Sequence, residues 1–242
     1  MGLRKLLKRI VLKEKADSAS YLNYLRKRGA TIGSGVKIYD PSKTHIDDTR
    51  CYLITIGDNV HISTGATILT HDFSWSVIKA HNGAIVGNAL PVKIGNNSFI
   101  GWNAIILGGV TVGSNCVVGA QSVVTKDIPD NEIWAGNPAK KICSISDFYD
   151  KKSGLFLKCA VQQFLLYYKS FQEFPPEIEM HEFFPLWRNI NDPSLPKEFK
   201  NKIDLMGNPE MTRGFYSNNN VRQFNSYEEF ASYCLKEKEN GF

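Results

Sequence analysis

A β-branched aliphatic residue returns every six positions at Ile94, Ile100, Ile106, Val112, Val118 and Val124. The same phase governs Ile56, Ile62 and Ile68 upstream, and Ile32 and Ile38 before them. Helices repeat at about 3.6 residues and half-buried strands at about two, so neither accounts for this pattern. A period of six fits a chain that lays down a short strand, turns a corner and repeats. The aliphatic then points into a prism-shaped interior. Glycine or asparagine takes the corner, where φ is positive. A mostly small residue precedes each aliphatic by two positions, as at Ser98, Ala104, Val110, Cys116 and Ser122. One such coil buries nothing, but stacked coils pair their backbones and close a continuous core. A β-sandwich would show simple alternation broken by hairpin turns, which is absent here.

The register fails between Ile68 and Ile94, so residues 70–91 are expected to leave the coil as a loop. The tract from Thr44 to Leu53 also departs from the pattern. Three segments follow: an amphipathic basic helix over 1–30, a β-helix over 31–144, and an extension over 145–242. In the first, Leu3, Leu6, Leu7, Ile10 and Val11 share one face of a helix spanning 3–28. In the last, a helix is expected from about Asp147 to Phe171. Five prolines from Pro175 to Pro196 then suggest an irregular wrapping segment, and Ser226 with Glu229 forms a capping box for a helix to about Lys238.

Charge is uneven. Residues 1–30 hold nine Lys and Arg against Glu14 and Asp17, within a chain of net charge +5. The remainder is slightly acidic, which argues against nucleic acid as a partner. The basic helix either caps the coil or meets an anionic membrane surface. Five scattered cysteines without a C-x-x-C pair indicate neither zinc nor a disulfide framework, and suit a reducing, cytoplasmic setting. No apolar run is long enough to span a bilayer.

Three stretches together resemble one family, the hexapeptide-repeat acyltransferases, and most closely its maltose, galactoside and polysaccharide O-acetyltransferase branch. They are TIGSGVKI (31–38), IGDNVHISTGATILTHDFS (56–74) and VKIGNNSFIGWNAIILGGVTVGSNCVVGAQSVVTKDIPDNEIWAGNPAKKI (92–142). The run VTKDIP…AGNPAK is the most specific part. The resemblance implies a left-handed parallel β-helix and a homotrimer. It also implies acetyl-CoA bound in a groove between subunits, with the 70–91 loop reaching over a neighbour to shape the acceptor site.

It implies roles for individual residues as well. His71, at the exit from the coil, corresponds to the general base that takes the proton from an attacking hydroxyl. Asp72 orients that base, meets a sugar hydroxyl or simply forms a turn, Asp47 and Asp48 fall in the acceptor-binding region, and His81 lies in the loop within reach of the acceptor. Phe99 stands where relatives carry a tryptophan beside the CoA thiol, and Trp102 where they carry a small polar residue. Ala120, Thr125 and Lys126 match CoA-groove positions, and Lys126 and Lys140 are placed to meet nucleotide phosphates. His45 lies in the irregular early coil, His61 precedes an inward Ile and is expected to face outward, and the histidine spacings lack the H-x4-H pair that a zinc-dependent relative of this fold needs. The function implied is O-acetylation of a sugar in bacterial surface-polysaccharide synthesis. The alternatives are N-acetylation of an amino-sugar nucleotide and a non-enzymatic β-helix module, which has no use for both His71 and the VTKDIP…AGNPAK run.

Overall fold

The computed structural model describes residues 11–239, and the chain divides into two compact units between Phe148 and Tyr149. The first unit is a three-sided parallel β-helix. One side stacks β1 (Thr31–Ile32), β4 (Ile54–Ile56), β7 (Val92–Ile94) and β10 (Thr111–Val112). The second stacks β2 (Lys37–Ile38), β5 (His61–Ile62), β8 (Phe99–Ile100) and β11 (Val117–Val118), and is extended by β13 (Glu132–Ala135) and the antiparallel β14 (Lys140–Ser144). The third stacks β3 (His45–Ile46), β6 (Thr67–Ile68), β9 (Ile105–Ile106) and β12 (Val123–Val124).

The six-residue column is the interior. Ile62, Ile68, Ile100, Ile106, Val112, Val118 and Val124 are all at 0% exposure. They meet in register down each side, as in Ile68 against Ile106 and Ile106 against Val124. Each buried aliphatic contributes roughly 1.5–3 kcal/mol. The small inner position carries polar groups only where they are satisfied. Ser98 Oγ donates to the Gly113 carbonyl at 2.9 Å and accepts from Cys116 N at 3.1 Å, and Ser122 Oγ accepts from Gly136 N at 3.1 Å.

Corners explain the asparagines. Asn59, Asn97, Asn115 and Asn131 all have φ between 54° and 63°. Asparagine tolerates this left-handed region better than other side chains with a Cβ. Their amides form a ladder along one edge: Asn59 Nδ2 donates to Asn97 Oδ1 at 3.2 Å, Asn97 to Asn115 at 3.2 Å, and Asn115 to Asn131 at 2.9 Å. Gly101 serves a different need, because a Cβ there would lie 2.6 Å from the backbone nitrogen of Ala120 on the next coil.

An uninterrupted coil takes 18 residues from Asn97 to Asn115, whereas Asn59 to Asn97 takes 38. The surplus is the excursion after Thr70. It is not wholly irregular, because Trp75–Asn82 forms a helix ended by Gly83 at φ 83°. The irregular early tract also contains a regular element, since β3 pairs with β6.

Leu3, Leu6, Leu7 and Ile10 lie outside the described residues, and the expected helix over 3–28 is not continuous where it can be followed. A 3₁₀ turn at Lys13–Ala16 gives way to Asp17 in extended geometry, and a new helix runs Ser18–Lys27. The break follows from capping, as Asp17 Oδ1 accepts from Ser20 N at 2.9 Å. Tyr21, Leu22 and Leu25 of this helix are buried in the same core as Ile38 and Ile46, so it closes the end of the prism.

The second unit is helical. The expected helix 147–171 is broken at Leu155 into Ile145–Gly154, which crosses the unit boundary, and Phe156–Phe171. The proline-rich stretch contains 3₁₀ turns at Glu177–Met180 and Phe184–Leu186, and helices follow at Lys197–Ile203 and Pro209–Asn218. The last helix is Tyr227–Glu239. Ser226 Oγ caps Glu229 N at 3.2 Å, but Glu229 reaches back to Asn225 N at 2.7 Å, one residue beyond the reciprocal bond of a capping box. Its core holds Phe164, Trp187, Phe199 and Phe230. Glu177 anchors it, accepting from Trp187 Nε1 and Arg188 Nε, each at 2.6 Å. No helix among the described residues is long and apolar enough to cross a membrane.

Candidate active site

Pairing of β3 with β6 sets Ile46 beside Ile68, so the residues after them emerge at the same corner. Asp47 N donates to the Ile68 carbonyl at 2.9 Å, which places its side chain under Thr70 and His71. His71 Nδ1 lies 2.7 Å from Asp47 Oδ2. Thr70 Oγ1 also bonds Asp47 Oδ2, and Thr49 donates to Asp47 Oδ1 through its backbone N at 3.0 Å and its hydroxyl at 2.6 Å.

Asp47 is 5% exposed at its side chain and His71 21%. Burial by itself would raise the Asp47 carboxyl; the bonds from Thr49, Thr70 and His71 outweigh it and hold the group well below the usual carboxylate range. An ionised Asp47 accepts, so Nδ1 of His71 carries a proton, and in the neutral imidazole Nε2 is then the acceptor. An oriented imidazole with a free basic nitrogen, at a corner where the chain leaves the coil, can remove a proton from a hydroxyl.

This assigns Asp47 a place that its expected role in acceptor binding does not include: its oxygens are filled by protein donors. Asp48 is likewise engaged, accepting from the Tyr24 hydroxyl at 2.8 Å, while its carbonyl accepts from Arg28 Nε at 2.7 Å. Asp72 does not bond His71. It accepts from Ser74 N at 2.7 Å and Asn88 Nδ2 at 2.8 Å, clasping the two ends of the excursion, and the Ser74 hydroxyl, followed by these two groups, lowers its carboxyl to about 2. His81 is exposed on the helix Trp75–Asn82, and its side chain makes no hydrogen bond among the described residues. His61 points away from the prism as expected but is covered: Tyr39 lies over it, with the hydroxyl 3.1 Å from Nδ1.

The residues matched to the CoA groove lie along the coil. Ile68, Ile106 and Val124 are in register, so Lys126 follows the same corner as Thr70 two strands further on, roughly 10 Å at ordinary strand spacing. Thr125 and Lys126 are exposed there. Phe99 sits beside His61 and Val117 on its sheet, 40% exposed, and Trp102 is 59% exposed at the following corner, which Ala120 shares one coil on. Lys140 is exposed and unpaired among the described residues, whereas its neighbour Lys141 is held by Glu132 at 2.6 Å. None of these groups bonds His71. Among the described residues no cluster of His, Cys, Asp and Glu is arranged to hold a metal ion.

The Asp47–His71 pair and the Asp72–Asn88 clasp were missed from the sequence. The first had a signal. HID at 45–47 stands in phase with TIL at 67–69 once 44–53 is treated as part of a coil.

The family model described as "Hexapeptide repeat of succinyl-transferase" matches residues 91–126. Protein CapG of Staphylococcus aureus is 43% identical over 128 residues, covering 52% of this chain and 73% of CapG. Galactoside O-acetyltransferase of Escherichia coli K12 is 40% identical over 120 residues, covering 49% of this chain and 57% of that protein, so the chain spans little more than half of it. Among solved structures, a maltose O-acetyltransferase from Clostridium difficile 630 superposes with a TM-score of 0.43 at 29% identity, covering 58% of this chain and 83% of that one. With its six-residue column and its match to most of CapG, the chain belongs to the hexapeptide-repeat acyltransferase family and is an acetyltransferase.

Proposed function

We infer that the chain transfers the acetyl group of acetyl-CoA to a sugar hydroxyl, in the assembly of a bacterial surface polysaccharide, with His71 as general base. The observation that carries the reading is the His71–Asp47 pair where the chain leaves the coil for the excursion. His71 Nε2 takes the proton of the acceptor hydroxyl as its oxygen attacks the thioester carbon. Asp47 stabilises the imidazolium so formed. The tetrahedral intermediate collapses, the C–S bond breaks, and the imidazolium returns its proton to the departing sulfur, so that free CoA and the acetyl ester leave. A backbone N–H of the coil meets the oxyanion. Transfer is direct, because the thioester is already activated and a ternary complex supplies the proximity.

Lys126 and Lys140 meet the CoA phosphates, and Phe99, Trp102, Ala120 and Thr125 line the pantetheine path. The working unit is a homotrimer of left-handed prisms. The excursion supports this, because Phe73, Val77, Ile85 and Val86 stand 61–72% exposed on it and gain cover from a neighbouring copy. The resemblance to a galactoside O-acetyltransferase supports a sugar acceptor.

The test is a panel of mono- and oligosaccharides incubated with acetyl-CoA, with free thiol release followed against a no-acceptor control. Acceptor-dependent thiol release with a mass gain of one acetyl group on the sugar is expected. Release on amino acids or amines but on no sugar would contradict it.

A further inference from the structure

The helical unit that follows Phe148 carries two adjoining cavities of about 320 and 230 Å³, which share Pro185, Ile190 and Tyr216. Neither includes any residue of the acetyl-transfer site, and both lie outside the residues matched by the family model. We propose that this groove is a second, separate carbohydrate-binding site, for a sugar unit that bears an acid group.

The larger cavity is walled by amides. Three of them are committed within the fold. Asn189 Oδ1 accepts from Asn191 N at 3.0 Å, Asn191 Nδ2 donates to Ser217 Oγ at 3.2 Å, and Asn219 Nδ2 donates to the Phe215 carbonyl at 2.8 Å. Asn218 and Asn220 are exposed and make no side-chain hydrogen bond among the described residues. Each offers two donor hydrogens and an acceptor oxygen side by side, the complement of neighbouring hydroxyls on a sugar ring. The shared wall of Pro185, Ile190 and Tyr216 gives the C–H face of that ring an apolar surface.

Charge selects among sugars. Arg188 is matched by Glu177 at 2.5 Å, and Lys202 by Glu182 at 3.3 Å. Arg222 has no carboxylate partner among the described residues. Its Nε and Nη2 bind the carbonyls of Phe224 and Asn225 at 3.0 and 2.9 Å, which fixes the guanidinium and leaves its charge uncompensated on the groove wall. An anchored guanidinium beside free amides suits a carboxylate-bearing sugar. His181 is among the residues lining the smaller cavity, and its Nδ1 is buried with no hydrogen-bond partner among the described residues.

Isothermal titration calorimetry on the full chain tests this with oligosaccharides of galacturonate, glucuronate and N-acetylneuraminate. Maltotriose serves as the neutral probe and inorganic phosphate as the bare anion. At least one acidic oligosaccharide should bind, with maltotriose and phosphate each weaker by about tenfold or more. N218A/N220A should weaken the sugar by about tenfold with the circular dichroism unchanged, and R222Q should abolish the preference for acidic over neutral sugar. No binding by any of these oligosaccharides, phosphate binding as tightly as the sugars, or binding untouched by N218A/N220A would overturn the proposal. Because binding is read without turnover, the outcome is independent of the acetyl-transfer reading.

Discussion

His71 and Asp47 are 24 residues apart in sequence and 2.7 Å apart in space, joined through Nδ1 and Oδ2. In the proposed reaction Asp47 touches neither substrate, so it is a positioning residue. Asp47→Asn should lower kcat by about 10²–10³ with little change in the KM for acetyl-CoA, since it disturbs the orientation and charge of the base. A purely structural Asp47 would lower the amount of folded enzyme without separating kcat from KM in the part that remains folded. Asp47→Glu should restore part of the rate.

The donor site makes a separable prediction. Lys126→Ala/Lys140→Ala should raise the KM for acetyl-CoA by about tenfold or more while kcat stays near the parent, as expected for binding shared by ground and transition states. The parental KM should itself rise with salt, because exposed phosphate contacts are screened. A double variant with the parental KM at low salt would displace the nucleotide from this edge.

Corner chemistry predicts stability. Asn97 holds φ at 56° and bonds both Asn59 and Asn115. Asn97→Gly should cost about 1 kcal/mol, the amide bonds alone. Asn97→Ala should cost about 1–2 kcal/mol more, because alanine also resists the left-handed region. Urea midpoints of the two variants should fall in that order, and equal losses would show that backbone strain plays no part.

The covered His61 predicts a pH effect. Burial pushes its imidazole below the ordinary 6.5, and Lys37 adds to the shift. The unfolded chain therefore takes a proton near pH 6.5 that the native chain refuses until lower pH. Stability from this group is present above about 6.5 and is lost as pH falls below it toward the native value. The urea midpoint of His61→Gln should fall less than that of the parent between pH 7.5 and pH 5.5. A parallel fall in both would remove His61 from the account.

The repeating part of the fold was legible because every inner position obeys one rule: Ile94 to Val124 each face the same enclosed column, so each residue reports the architecture independently. The corner asparagines were legible for the same reason. The partner of His71 was not, because β3 is a two-residue strand in a coil with extra residues, and only its pairing with β6 brings Asp47 under His71. The break at Asp17 was hidden by good helix formers on both sides, and a single capping bond decided it. In the second unit, the helix Pro209–Asn218 lay beyond a proline-rich tract that argued for irregular chain, although proline at the first turn of a helix costs nothing. The roles of Phe99, Trp102 and Lys140 rest on resemblance, because no periodicity marks a ligand groove.

Whether His71 removes the acceptor proton is decided by the turnover of His71→Ala at saturating acetyl-CoA and acceptor. Its kcat should be lower by about 10²–10⁴, with CoA affinity measured by calorimetry close to the parent and no acetylated enzyme detectable by mass spectrometry. Parental turnover in His71→Ala, or an acetyl group carried on the protein during the reaction, would contradict it.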